Sequence, residues 1–153
     1  ARAYREKKFD VALAAFQRGL TFSPNDAELN NNVAYTLGVD LGRPNEAIPY
    51  AEKAAMGAPS SAMILDTLGA IYIAVGKPDL AEPALVRAMN FATSPSDRVP
   101  AMIHLGMARL KLGDRPSAAQ LANQAQRMLD ANPQMKDVYD TLLKDLLKTL
   151  DGQ

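Results

Sequence analysis

Few side chains in this sequence are suited to acid–base or metal chemistry. His104 is the single histidine and there is no cysteine, so the usual imidazole and thiolate ligands cannot complete a metal site. Acidic pairs such as Asp137 and Asp140 fit the solvent face of a helix. No motif for acyl transfer, phosphate binding, dinucleotide binding or zinc hydrolysis occurs. We therefore expect a protein that is not an enzyme and has no metal or other cofactor, with His104 packed or lining a groove.

Composition and charge narrow the possible partners. The chain has 153 residues, 48% of them hydrophobic, and its 17 basic side chains balance 17 acidic ones. This is typical of one water-soluble globular domain with no positive field to collect nucleic acid. No apolar run approaches the roughly 20 residues that cross a bilayer, so we expect no direct membrane insertion. The absence of cysteine leaves the cytoplasm and the periplasm equally open.

Small residues recur in step along the chain. The pattern of residues 65–88 returns without a gap 37 residues later, so that Gly69 corresponds to Gly106 and Ala81 to Ala118. The ends of successive units are marked by prolines spaced 35, 36 and 38 residues apart, at Pro24, Pro59, Pro95 and Pro133. A period of this length is typical of an array of repeated helical units.

The third unit resembles the tetratricopeptide repeat (TPR), whose pattern is W-x2-L-G-x2-Y followed by A-x3-F. The residues that carry this resemblance are Leu65 in place of Trp, then Leu68, Gly69, Tyr72, Ala81 and Leu85. The fourth unit departs from the pattern, since Arg109 replaces the Tyr and Ala122 replaces the bulky residue. The resemblance implies an all-α fold, namely a right-handed superhelix (solenoid) of stacked helix-turn-helix units with a C-terminal capping helix. It implies one domain over 1–153, divided into a partial repeat at 1–26, repeats at 27–61, 62–98 and 99–134, and a capping helix at 135–150.

The glycines and alanines predict how the helices of each unit meet. Glycine inside a helix costs about 1 kcal/mol relative to alanine, so Gly69 and Gly106 need the close approach of a neighbouring backbone. Ala81 and Ala118, early in the second helix, are expected to face that gap. Glycines followed closely by proline predict the turns within the units, at Gly42, Gly76 and Gly113.

Other residues predict details of the helix ends. Pro49 and Pro83 lie shortly after expected helix starts, which predicts a late start or a kink. Asp79 and Glu82 have the spacing of a capping box. The tail carries apolar residues at helical spacing, namely Val138, Leu142, Leu146 and Leu150. This helix either covers the last core face or docks a separate partner.

The chain opens in the middle of what the repeat pattern would make the first helix of a pair. The segment "ARAYREKKFD" precedes the alanine and phenylalanine of a second helix, Ala12 and Phe16. We therefore expect a shortened first helix here, and a fragment whose upstream repeats are missing.

Resemblance to the family also implies a binding surface, the concave face lined by the first helix of each unit. The candidate groove residues are Glu28, Asn31, Asn32, Tyr35, Met63, Asp66, Ala70, Ile73, Ile103, His104, Met107 and Lys111. Asn31 and Asn32 are the expected polar contacts with Tyr35 as an amphipathic anchor, although simple solvation of the asparagines fits equally well. Family members that hold a chaperone carboxylate use lysine, arginine and asparagine on these helices. Only Asn32 occupies such a position, which argues against a carboxylate clamp.

These observations favour a non-catalytic scaffold that binds a peptide or protein segment in its groove. Resemblance to the family implies bacterial secretion, envelope assembly or polysaccharide export as the setting. Two alternatives stay open: a self-association module that forms a homo-oligomer, and the targeting arm of a larger enzyme whose catalytic domain lies outside this chain.

Overall fold

The computed structural model describes residues 2–152 of the chain, without the side chains of Ala3 and Tyr4. Within this part there are eight α-helices and no strand. The helices are α1 (Arg2–Phe22), α2 (Ala27–Tyr35), α3 (Pro44–Gly57), α4 (Ala62–Ala74), α5 (Pro78–Phe91), α6 (Pro95–Lys111), α7 (Arg115–Ala131) and α8 (Lys136–Asp151). A π-helical segment, Thr36–Asp40, continues α2, and a 3-10 turn, Pro133–Met135, leads into α8.

The helices pack as successive pairs that stack on one another. α2 packs on α3, α4 on α5 and α6 on α7, and each pair also contacts the next. Direct contacts of α4 with both α2 and α6 make these three helices one layer. α1 packs against α2 at one end, and α8 packs against α6 and α7 at the other. The expected all-α stack of helix-turn-helix units with a capping helix is thereby confirmed. No helix in the described residues is long and apolar enough to span a membrane.

The turns within the pairs form where glycine and proline predict them. Gly42, Gly76 and Gly113 adopt positive φ values of 64, 75 and 88°, which other residues rarely adopt. Pro44 and Pro78 then occupy the first helical turn, where a missing backbone N–H costs nothing. The same local sequence therefore makes the same tight connection in successive units.

Buried alanines recur on the contact face of the second helix in each pair. In α3 the buried side chains are Ala47, Ala51 and Ala54. In α7 the corresponding positions are Ala118, Ala122 and Ala125. Their spacing of three or four residues places them on one stripe, and their small size lets neighbouring helices approach closely.

The helical glycines lie against buried neighbours. A Cβ atom added at Gly69 would come within 2.4 Å of Cγ of Leu85, and one added at Gly106 within 2.8 Å of Cδ2 of Leu146 and 3.5 Å of the backbone oxygen of Ala118. Close approach at these glycines is as expected. At Gly69, however, the nearest atoms belong to a leucine side chain and not to Ala81 or a backbone.

The opening of the chain differs from the expectation. α1 runs without a break from Arg2 to Phe22, so these residues form one helix and not a shortened first helix followed by a second. The turn glycines stand five residues before the alanines that open the stripes of later units, and the corresponding position before Ala12 is Lys7. Because this segment has neither the glycine nor the proline of the other turns, the helix continues through it.

Two expectations at the helix starts can be compared with the structure. Of the late start or kink expected at Pro49 and Pro83, the late start does not occur, because α3 and α5 begin at Pro44 and Pro78 and continue past these prolines. The proposed capping box fails as well, because Lys77 holds the N-cap position and no side chain caps α5. The carboxylate of its second member, Glu82, instead accepts a hydrogen bond from Nε of Arg109 at 3.1 Å.

The apolar stripe of α8 is rotated from the one expected. Leu143, Leu146 and Leu150 are the buried residues, whereas Val138 is exposed and Leu142 is only partly buried. The first set packs into the core shared with α6 and α7. The second set faces a groove, so α8 has two apolar faces with different roles.

Candidate functional site

A cavity of about 890 Å³ lies on the layer formed by α2, α4 and α6. We call it the groove. Helix α1 bounds it with Phe9, Ala12 and Phe16, and α8 bounds it with Val138, Tyr139, Thr141, Leu142 and Asp145. The layer itself contributes Asn31, Asn32, Tyr35, Thr36, Val39, Asp40, Met63, Asp66, Thr67, Ala70, Ser96, Asp97, Pro100 and His104. No described residue of α3, α5 or α7 lines it.

Large apolar side chains are exposed in the groove. Tyr35, Val39, Met63 and Val138 all line it and are between 47% and 67% exposed. They come from α2 and its π-helical continuation, from α4 and from α8. The π-helical segment carries Val39, which stands four residues after Tyr35 and extends the same apolar surface. Solvent-exposed apolar side chains gathered on one concave surface are typical of a binding site.

His104 and Asp66 form the polar link between α4 and α6. Nδ1 of His104 lies 2.7 Å from Oδ1 of Asp66, and both side chains are largely buried. Burial disfavours the imidazolium, but the charge of Asp66 and the hydrogen bond to it outweigh burial and raise the pKa of His104. No group of three or more His, Cys, Asp or Glu side chains within residues 2–152 could hold a metal ion.

The three consecutive asparagines of α2 have different roles. Nδ2 of Asn30 donates to the backbone oxygens of Pro24 and Asp26 at 3.1 and 2.7 Å, which ties α2 to the preceding turn. Asn31 lines the groove at only 4% exposure, and its Oδ1 has no hydrogen-bond partner among the described residues. Asn32 also lines the groove and is partly buried. Solvation therefore does not describe Asn31.

Tyr139 links α8 to the start of α6. Its hydroxyl lies 3.5 Å from the backbone oxygen of Ser96 at the start of α6. Burial raises the pKa of Tyr139, and the charges of Asp66 and Asp97 and the neighbouring Tyr35 raise it further. The ring is thus close to acidic groups from both α4 and α6.

Seven of the twelve candidate groove residues line this cavity: Asn31, Asn32, Tyr35, Met63, Asp66, Ala70 and His104. Ile103 is fully buried in the core, because it is one residue from His104 and points away from the groove. Ile73 and Met107 pack against the core, and the exposed Glu28 and Lys111 lie near helix ends that the cavity does not reach.

The walls contributed by α1 and α8 were not among the candidates. Phe16 could have been suspected from the repeat pattern, since it stands where the family has a bulky residue that packs on the next unit. Val138 and Tyr139 gave no such signal, because only the packing of α8 against α6 brings them to the groove.

Solved structures with the same architecture exist at low sequence identity. MamA (41-end) from Desulfovibrio magneticus RS-1 matches over 82% of this chain and 69% of its own, with a TM-score of 0.70 and 18% identity. PilF from Pseudomonas aeruginosa matches over 97% of this chain and 70% of its own, with a TM-score of 0.67 and 19% identity. TTC0263, a thermophilic TPR protein from Thermus thermophilus, matches over 92% of this chain and 93% of its own, with a TM-score of 0.51 and 19% identity.

No protein-family model and no curated protein sequence matches the chain. The comparisons with solved structures therefore show the fold alone. The stacked helix pairs, the glycine turns in equivalent positions and these likenesses together establish that the chain has the tetratricopeptide-repeat fold.

Proposed function

We propose that this chain is a non-catalytic interaction scaffold that binds a segment of another protein in the groove. The observation that carries the proposal is the gathering of Tyr35, Val39, Met63 and Val138, all exposed, around one cavity. Leaving apolar surface in water costs about 25 cal/mol per Å², and covering it with a partner recovers that free energy. Concave surfaces of helical solenoids are suited to this role.

The shape of the groove favours a short segment as the bound element. Its volume of about 890 Å³ is close to the upper end of the range for pockets that enclose compact ligands, and α1 and α8 stand at its sides. An amphipathic helix or extended peptide can place apolar side chains against Met63 and Val138. In keeping with the family resemblance, we propose bacterial secretion, envelope assembly or polysaccharide export as the setting.

The test compares two pairs of substitutions that remove the same kind of surface. Tyr35→Ser with Met63→Ser strips the groove, and Phe22→Ser with Met56→Ser strips apolar side chains that are 88% and 82% exposed elsewhere. Peptides are selected from a displayed random library on the wild-type protein, and their affinities for all three proteins are then measured. We expect the groove pair to weaken binding at least about tenfold, equivalent to about 1.4 kcal/mol, and the control pair to leave it unchanged.

None of the four side chains is buried, so we expect both variants to fold. Circular dichroism checks this. Equal affinities of the two variants for every selected peptide would assign binding to another surface. Failure to select any peptide on the folded wild type would contradict a peptide-binding function.

A further inference from the structure

The charged side chains of the groove are mainly carboxylates. Asp40, Asp66, Asp97 and Asp145 line it, whereas none of the described lining residues is Lys or Arg. His104 is the one basic side chain present, and it is already paired with Asp66. The chain as a whole has equal numbers of acidic and basic residues. The negative charge is therefore concentrated locally and does not reflect the composition.

Most of these carboxylates have no cationic partner within residues 2–152. Among the described residues, Asp40, Asp97 and Asp145 form no salt bridge. Burial raises the pKa of Asp40, which reflects a carboxylate partly removed from water. Arg2 and Arg5 line a neighbouring cavity with Asp40 but do not line the groove. Charges left unpaired at the edge of an apolar surface favour a partner of opposite charge.

Carboxylate charges contribute to the raised pKa values of two groove tyrosines. Burial raises the pKa of Tyr35, and the charges of Asp40 and Asp66 raise it further. The pKa of Tyr139 is raised by burial and by Asp66 and Asp97, as described above. The aromatic rings also supply faces on which an ammonium or guanidinium group can lie.

Asn31 is an independent sign of a missing partner. Its side chain lines the groove at 4% exposure with Oδ1 unpaired, although buried polar groups in proteins are almost always hydrogen-bonded. A carbonyl oxygen requires a donor. The side chains of lysine and arginine offer several donors and no acceptor, so they suit both this oxygen and the groove carboxylates.

We propose that the segment bound in the groove is both apolar and cationic, with Lys or Arg side chains that reach Asp97 and Asp145 while apolar side chains cover Met63 and Val138. This inference rests on the proposed function and specifies the chemistry of the partner. A partner presenting a carboxylate would instead meet like charge at each of the four aspartates.

The experiment uses three synthetic peptides that differ only in charge. They share the same leucine and phenylalanine positions and carry Lys, Gln or Glu at all others, with a fluorescent label for anisotropy. We expect the Lys peptide to bind most tightly and the Glu peptide most weakly, with about tenfold or more between them. The advantage of the Lys peptide should shrink as NaCl is added, because salt screens partly exposed charges.

Matched variants locate the effect in the groove. Asp97→Asn with Asp145→Asn removes two groove carboxylates, and Asp137→Asn with Asp151→Asn removes two exposed carboxylates of α8 that do not line the groove. Both variants change the net charge equally. We expect only the first to weaken binding of the Lys peptide, by about three- to tenfold, and to leave binding of the Gln peptide unchanged.

Equal affinity for the three peptides, with binding still lost in the Tyr35 and Met63 variant, would overturn the cationic preference and leave the proposed function standing. Absence of binding by every peptide, including those from the displayed library, would remove the proposed function itself. Equal weakening by the two carboxylate variants would show a long-range charge effect and overturn the assignment to the groove. If the wild type self-associates and the groove variant does not, the groove binds a second copy of the chain, and the proposal is overturned.

Discussion

Replacing Gly69 with alanine tests the packing on which the stack of helix pairs depends. The added Cβ atom would lie 2.4, 2.5 and 2.9 Å from Cγ, Cδ2 and Cδ1 of Leu85. Carbon atoms in contact prefer about 3.5 to 4.0 Å, so the whole branched end of Leu85 must move. Leu85 is fully buried, and because protein cores are close-packed its movement should displace other side chains.

The magnitude follows from two opposing effects. Alanine in place of glycine inside a helix gains about 1 kcal/mol. Overpacking a filled core costs about 1 to 3 kcal/mol or more, and three atoms in conflict place Gly69→Ala toward the upper end. We therefore expect a net loss of about 1 to 2 kcal/mol in the free energy of unfolding.

Gly106→Ala is the matched control. Its Cβ would come within 3.0 Å of one atom, Cδ2 of Leu146 at 2.8 Å, and its next neighbours are at 3.5 and 3.6 Å. A terminal methyl can rotate away at a cost of about 0.5 to 1.5 kcal/mol, which the helical gain of about 1 kcal/mol offsets. The stability of this variant should stay within about 0.5 kcal/mol of the wild type.

Urea unfolding followed by far-ultraviolet circular dichroism measures both effects. With a slope of about 2 kcal/mol per M, Gly69→Ala should lower the midpoint by about 0.5 to 1 M. In a Leu85→Ala background the conflict is gone, so the same substitution should stabilise by about 1 kcal/mol even though Leu85→Ala itself costs about 2 to 5 kcal/mol. A midpoint for Gly69→Ala equal to that of Gly106→Ala, or no change of sign in the Leu85→Ala background, would refute the reasoning.

Three further predictions concern polar groups. Asn31→Ala should raise the free energy of unfolding by about 1 to 2 kcal/mol in thermal or urea unfolding, because it removes an unsatisfied buried oxygen and favours the helix. The raised pKa of His104 means that its stabilising effect is complete below the ordinary value of 6.5 and is lost as the pH rises through the higher folded value. The melting temperature of the wild type should therefore be higher than that of Asp66→Asn, and the difference should be larger at pH 5.5 than at pH 8. An equal difference at the two pH values would contradict this. Burial and the hydrogen-bonded Glu52 carboxylate raise the pKa of Tyr72 to about 12, so ultraviolet titration should find a tyrosine with a pKa of about 12 in the wild type that is absent from Tyr72→Phe.

The repeat pattern predicted the helix pairs because the signals that form them are local. Gly42, Gly76 and Gly113 supply the positive φ of each turn within a few residues of the proline that opens the next helix. The same reasoning explains the error in α1. The repeat pattern predicted a separate shortened helix at the start of the chain, but the residues around Lys7 make no turn, so α1 is continuous.

The groove was predicted only in part because its limits are set by distant contacts. The family resemblance implied the faces of α2 and α4 that carry Asn31, Tyr35 and Asp66. It gave no information on where the cavity ends along α6. That end depends on the position of α8, whose contact residues are more than thirty positions away in sequence, such as Tyr139 against Ser96.

The position of α8 connects the repeat to the groove. Leu146 lies against Gly106, where any side chain at that position would be within 2.8 Å of it, so the absence of a side chain sets how deeply α8 packs. The same helix carries Asp145, one residue before Leu146, into the groove wall. A small residue that a helix tolerates at a cost of about 1 kcal/mol thus positions an acidic wall of the groove. Packing of the core and the charge of the groove therefore both depend on where α8 lies.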